Sequence, residues 1–222
     1  AGHVDFTVEF ERSLGELDSV MAIFCAVGGF QPQSETVWRQ AQKYKIPRIA
    51  FVNKMDRVGA DFSRVVKQMR ERLLAHPVII QLPIGAEDSF LGIVDLLEMQ
   101  AIIYEDELGT KFRKSPIPEG MLKEAAYFHE KLIEVVAETN DVLLEKYLIS
   151  HTLSIEEIKK GLRSATIACK IVPVLCGAAF KNKGIQPLLD AIVEYLPSPL
   201  DIPPVHGLDP KTGQDAERRS SD

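Results

Sequence analysis

The sequence predicts an α/β fold, a parallel sheet with flanking helices, carrying an inserted α+β subdomain. Three observations predict it. Unbroken apolar runs occur at "VMAIFCAV" (residues 20–27), "RIAFV" (48–52) and "KIVPVLCG" (170–177), and such runs suit strands covered on both faces. Amphipathic helical patterns separate the first two runs and follow the third. Between residues 76 and 169 the texture changes to short β-prone pieces and then to helices.

Each element has a local reason. Thr7 to Leu17 sets Val8, Leu14 and Leu17 among charges, as a short surface helix does. The first apolar run is bounded by Gly28-Gly29. Ser34 is the expected cap of a helix whose inner face holds Val37, Ala41 and Tyr44, and Pro47 ends it before "RIAFV". Asp61 caps the next helix, with Phe62, Val65, Val66, Met69 and Leu73 as its apolar stripe. This β-α-β-α alternation implies right-handed crossovers.

After His76-Pro77, "VIIQLPIG", "FLGIVDLLEMQAIIYED" and "TKFRKS" read as an antiparallel meander. Pro118 opens a helix with Met121, Leu122, Ala125, Leu132, Val135 and Val136 at helical spacing. Asn140 or Asp141 restarts a shorter one. Ser154 with Glu157 forms a capping box leading a helix with Ile155, Ile158, Leu162 and Ala165 on one face. Ile185 to Leu196 is amphipathic again, and the Pro-rich, then polar, tail reads as a linker. The expected divisions are 1–75 and 170–198 for the parallel-sheet domain, 76–169 for the insert and 199–222 for the linker.

Composition narrows the function classes. The chain has 222 residues, 45% hydrophobic and 26% charged, with a formal net charge of -6. That balance argues against a surface built to wrap nucleic acid. Three scattered cysteines without CxxC spacing read as reduced thiols in a cytosolic protein. No apolar run is long enough to span a bilayer, so no membrane partner and a cytoplasmic location are expected. Trp38, Met69 and Phe128 sit in helical patterns as packing residues.

Ligands of open parallel sheets gather at the carboxyl ends of the strands. Two runs end in unusual chemistry there, "VNKMD" after Phe51 and "CGAAFKNKG" after Leu175. A carboxylate such as Asp56 can accept two hydrogen bonds from a base with adjacent N–H donors. Guanine has that pair and adenine does not. Asn53 can bridge base and loops, and the Lys54 stem can lie across a ring face. Charge-assisted bonds contribute about 1.5–3 kcal/mol each. For an isolated four-residue match, an Asx turn is the better reading of Asn53 and Asp56. The small-residue turn "GAA" after a second strand favours a site, because it lets backbone approach a ligand closely.

"NKMD" resembles the fourth GTPase motif and "GAAF" the fifth, while "GHVDFTVEFERSL" is similar to the third-motif tail and second switch of translational GTPases. "FCAVGGFQPQSETVWRQAQKYKIPRIAFVNKMDR" and "FKNKGIQPLLDAIVEYLPSPLDIP" resemble the bacterial elongation factor G family, and the resemblance covers essentially the whole chain. It implies a P-loop-type GTPase domain and a role for each matched position. His3 would orient the attacking water and be the catalytic residue. The Gly2 backbone would meet the γ-phosphate. Asn53, Lys54, Met55 and Asp56 would form the guanine-reading motif, and Ala178 with Ala179 the second one. The cofactor implied is GTP or GDP, with Mg²⁺.

The family also implies a ribosome-dependent GTPase that promotes tRNA–mRNA translocation, whose insert faces the stalk proteins of the large subunit. No GxxxxGK followed by Ser or Thr occurs in the sequence. The expectation is therefore an incomplete GTPase domain, inactive alone, whose Mg²⁺ ligands and first switch would precede residue 1. Ala178 stands where the family often has serine. With the P-loop strand missing, residues 20–27 would expose a sheet edge, which makes self-association possible. The alternatives are a stand-alone binding module acting through its insert, and a paralogous ribosome-associated GTPase.

Overall fold

A computed structural model describes residues 17–30, 32–202, 205–208 and 215–218. The helix expected over Thr7 to Leu17 lies almost wholly outside the described residues, as do Gly2 and His3.

The first strand, β1 (Val20–Cys25), runs into the turn of Gly28 and Gly29. Helix α1 (Pro32–Lys43) starts two residues before the expected cap, because proline is favoured in a first helical turn. Its inner face is also rotated from expectation: Trp38 and Ala41 are buried, whereas Tyr44 is exposed. Trp38 causes the rotation. Its ring packs 5.9 Å from Phe24, which stacks on Phe30 at 4.3 Å, and the Arg48 guanidinium sits 4.5 Å over the indole. Burial there lowers the Arg48 pKa from its ordinary value.

Strand β2 (Arg48–Asn53) is buried up to its last residue. Helix α2 (Phe62–Leu73) follows the sequence reading throughout. The Arg64 N–H donates to the Asp61 carboxylate at 2.8 Å, and Phe62, Val65, Val66, Met69 and Leu73 are its buried residues.

Strand β3 (Pro77–Ile79) departs from the expected meander, for it pairs in parallel with a strand near the end of the chain. Its proline is tolerated because it lies at a sheet edge. The antiparallel layer begins only at β4 (Gln81–Ile84) and continues through β5 (Gly92–Asp95), β6 (Gln100–Tyr104) and β7 (Phe112–Ser115). Helix α3 (Leu122–Ala137) buries Ala125, Leu132, Ile133, Val136 and Ala137. Asn140 caps α4 (Asp141–Ser150), accepting from the Val142 and Leu143 N–H groups. The Ser154–Glu157 capping box opens α5 (Ile155–Ile167), which buries Ile158, Leu162 and Ala165, whereas Ile155, expected on the same face, is exposed at the first turn. Strand β8 (Val172–Cys176) is buried throughout, and α6 (Ile185–Tyr195) closes the unit. Within the stretch expected to be a linker, β9 (Val205–Leu208) and β10 (Asp215–Arg218) form an antiparallel pair.

The parallel sheet has the order β1-β2-β8-β3, and the antiparallel sheet the order β4-β5-β6-β7. Helix α5 packs against β2 and β8 and against α6. The parallel-sheet layer therefore takes in both β3 and α5, on the inner side of the boundaries expected at residues 76 and 169. One apolar core runs continuously from Phe24 through Ile93 and Leu132 to Leu196. Gln81 ties the layers together: its buried carboxamide oxygen accepts from the Cys176 N–H at 3.3 Å.

All three cysteines are free thiols, and burial pushes the Cys176 thiol pKa far up, so it stays protonated. No helix among the described residues is long and apolar enough to cross a membrane.

Candidate functional site

Strands β2 and β8 are hydrogen-bonded neighbours, with Val52 opposite Cys176. The next residues, Asn53 and Gly177, therefore leave the sheet side by side at its carboxyl end. The two stretches singled out in the sequence meet here, although more than a hundred residues separate them in the chain.

The first loop is held from within. Lys54 has φ +68°, a left-handed conformation uncommon for a residue with a Cβ. The Asn53 carboxamide oxygen stabilises the turn by accepting the Lys54 N–H at 2.8 Å. Met55 is only 1% exposed, so its side chain is an anchor in the core rather than a ligand contact. Its N–H donates to the Gly177 carbonyl at 3.1 Å and its carbonyl accepts from the Glu87 N–H at 2.8 Å. Arg64 donates to the carbonyls of Ala26, Val27 and Gly59, which fixes the far end of the loop.

The second loop is a tight reversal. The Ala178 N–H donates to the Lys183 carbonyl at 2.9 Å, and Ala178 itself is buried. The Ala179 N–H donates to the same Asn53 oxygen at 2.9 Å. Asn53 thus links the loops directly. The Ala179 amide is thus already engaged, and a ligand approaching it would have to share or exchange that bond. Gly177 is obligatory for close approach, since a Cβ there would lie 2.3 Å from the Lys183 carbonyl oxygen and 2.8 Å from Phe51.

Asp56, Lys54, Phe180 and Lys181 belong to these two loops. The Asp56 side chain is 7% exposed, and its nearest cation, Lys181, stands at 3.7 Å, beyond hydrogen-bond length. A carboxylate so placed retains acceptor capacity for a ligand with paired N–H donors. Lys54 is exposed, consistent with a stem lying over a ring. Phe180 is 92% exposed. Sequence reasoning assigned it no role, although a large aromatic in a polar, glycine-bounded loop was a signal for a stacking surface. These side chains are what the two loops offer to a ligand: one largely buried carboxylate, two exposed or partly exposed lysines and an exposed aromatic ring. Among the described residues no cluster of three or more His, Cys, Asp or Glu side chains could hold a metal. The catalytic role expected of His3 and the phosphate contact of Gly2 fall outside the described residues.

Comparisons with known proteins bear on the family and the fold. A family model described as "Elongation factor Tu GTP binding domain" matches residues 1–198. Among solved structures, the chain is similar to a protein from Thermus thermophilus, with a TM-score of 0.81 and 27% sequence identity. The match covers 97% of this chain but 33% of that one, so the chain spans about a third of the length of its structural relative.

Proposed function

Because the chain belongs to the elongation factor Tu GTP binding domain family, we propose that its paired loops are the base-recognition half of a guanine-nucleotide site. One observation carries this reading. The semi-buried Asp56 carboxylate and the exposed Phe180 ring stand on loops that Asn53 holds together. In this role Asp56 reads the N1 and N2 hydrogens of guanine, Lys54 and Phe180 cover the ring, and Asn53 keeps the loops in register. The 222 residues hold no GxxxxGK followed by Ser or Thr, so base recognition is assigned to them and phosphoryl transfer is not. A bound nucleotide would bring Mg²⁺ on its phosphates, outside the contacts described above.

Within a longer protein, this domain would serve a ribosome-dependent GTPase of the elongation factor G type, acting in tRNA–mRNA translocation in the cytoplasm. The closeness of "GGFQPQSETVWRQ" and of the α+β insert to that family supports this choice over other translational GTPases. The insert, residues 76–169 in the sequence division, would face the ribosome. Its charged α3 surface, with Tyr127 54% exposed, is the natural contact for stalk proteins.

Titration by NMR tests the base reading. Guanosine diphosphate should shift the amides of 53–56 and 178–180, weakly but saturably, and adenosine diphosphate should not. Equal shifts with both nucleotides would overturn the reading.

Self-association is proposed as a second property. Among the described residues strand β1 is an outer strand of the parallel sheet, and its Met21 and Ile23 are 38% and 55% exposed. Apolar edges of this kind recruit other strands. Light scattering should give a mass that grows with concentration, and Ile23→Lys should reduce it. A constant monomer mass across the range would refute the proposal.

A further inference from the structure

The strand ladder fixes where the two loops begin, through Val52 opposite Cys176 and the Met55 N–H on the Gly177 carbonyl. Their far parts, around Gly59 and around residues 181–184, lie beyond that ladder. We infer that the antiparallel layer β4–β7 is the brace that sets the spacing of the two loops, with Tyr104 and Glu87 as its positioning residues. The inference rests on the guanine-binding reading for its functional consequence, but the brace itself stands on separate contacts.

On the second loop, the Gly184 N–H donates to the Tyr104 hydroxyl at 2.6 Å in a buried setting. The Asn182 carboxamide donates to the Gly109 carbonyl and the Lys183 ammonium to the Phe90 carbonyl, each at 3.3 Å. Gly109 has φ +61°, and a Cβ there would fall 2.4 Å from the Lys181 carbonyl oxygen, so the turn after β6 lies directly against the loop. On the first loop, Glu87 Oε1 accepts from the Gly59 N–H at 2.7 Å, and the Glu87 N–H donates to the Met55 carbonyl.

Neighbouring layers always share some hydrogen bonds, so contact alone means little. What distinguishes these is where they land and how they are joined. They fall on residues 55, 59 and 182–184, which flank the base readers on both sides. Their anchors are also mutually bonded: the Phe90 N–H donates to the Glu87 carbonyl, the Leu91 N–H to Ile84 and the Tyr104 N–H to Leu91. Glu87 and Tyr104 are therefore two ends of one rigid bracket. A base held between the loops needs a fixed gap, and the bracket supplies it. By linkage, a partner that shifts the antiparallel layer changes nucleotide affinity, and nucleotide changes affinity for that partner.

Amide hydrogen exchange and nucleotide titration on the 222-residue chain test this, using Tyr104→Phe, Glu87→Ala and Glu87→Gln. Tyr104→Phe keeps the ring and removes only the acceptor, so the Gly184 amide should exchange about tenfold faster, with protection in β5 and α3 unchanged. Guanosine diphosphate should bind about fivefold more weakly to Tyr104→Phe and to Glu87→Ala. Glu87→Ala should likewise speed exchange of the Gly59 amide, and Glu87→Gln, which retains an acceptor oxygen for Gly59, should restore Gly59 protection and nucleotide affinity. Unchanged exchange at Gly184 and Gly59, or faster exchange spread evenly over the chain, would overturn the brace. Loss of loop protection with unchanged nucleotide affinity would overturn its positioning role. If even the parent chain binds no guanosine diphosphate, the base-recognition reading fails and the positioning role with it, while exchange still decides whether the brace exists.

Discussion

Replacing Asp56 with asparagine should lower affinity for guanine nucleotides about 10- to 100-fold and raise affinity for xanthine nucleotides. In the proposed site the carboxylate would accept from both N1 and N2 of guanine. An amide keeps one acceptor and turns the other into a donor, so the N2 amino group meets an N–H while the xanthine 2-oxo group finds a partner. The distant Lys181 contact contributes little, being a single partly exposed ion pair at 3.7 Å. Competitive titration with guanosine, xanthosine and adenosine diphosphates measures the switch. A variant that keeps the parent's guanine preference would show that Asp56 serves only the turn.

Gly177→Ala should destabilise the fold by about 2–3 kcal/mol and displace the second loop. The added Cβ would meet the Lys183 carbonyl oxygen at 2.3 Å, Phe51 at 2.8 Å and the Gly184 Cα at 3.2 Å. None of these can yield easily. Phe51 is buried in the sheet, and the Lys183 carbonyl is held by the Ala178 N–H. Gly120→Ala is the matched control, since nothing lies within 4 Å of a Cβ there, and it should change stability by less than about 0.5 kcal/mol. Urea unfolding of both variants gives the comparison. Equal stabilities would mean that the loop relaxes freely and is not the tight reversal described above.

The two variants probe parts of the site that differ in how readable they were. Asn53 to Asp56 and the "GAA" turn stood out as candidates because each follows a buried strand and because the family patterns are specific. Phe180 was in plain view in the same stretch, but its exposure depends on how the loop folds. Met55 sits inside the motif and looked like a ligand contact, yet it is a core anchor.

The elements divide in the same way. Asp61 with its five-residue stripe, and Ser154 with Glu157, behaved as written because a cap and a helical face involve residues within a turn or so of each other. The face of α1 did not. It turned toward Trp38 because Phe24, Phe30 and Arg48 lie outside the helix. Three apolar residues in β3 look alike whichever sheet they join, and only the ladder to Val172–Val174 decided the parallel one.

By itself, then, the sequence determined the caps of α2, α4 and α5, the buried strands β2 and β8, the translational GTPase family and the chemistry available at two strand ends, whereas the run 20–27, expected to be covered on both faces, forms a β1 that leaves Met21 and Ile23 exposed. Those signals are local, or are carried by motifs whose residues lie close together in the chain. Only the tertiary structure decided that Asn53 joins the two loops across 126 residues and that Tyr104 braces Gly184 across 80. Such bonds have no period and no preferred spacing. They exist because β2 pairs with β8 and the antiparallel layer packs beside β8, and the register of those surfaces is set by the folded core as a whole.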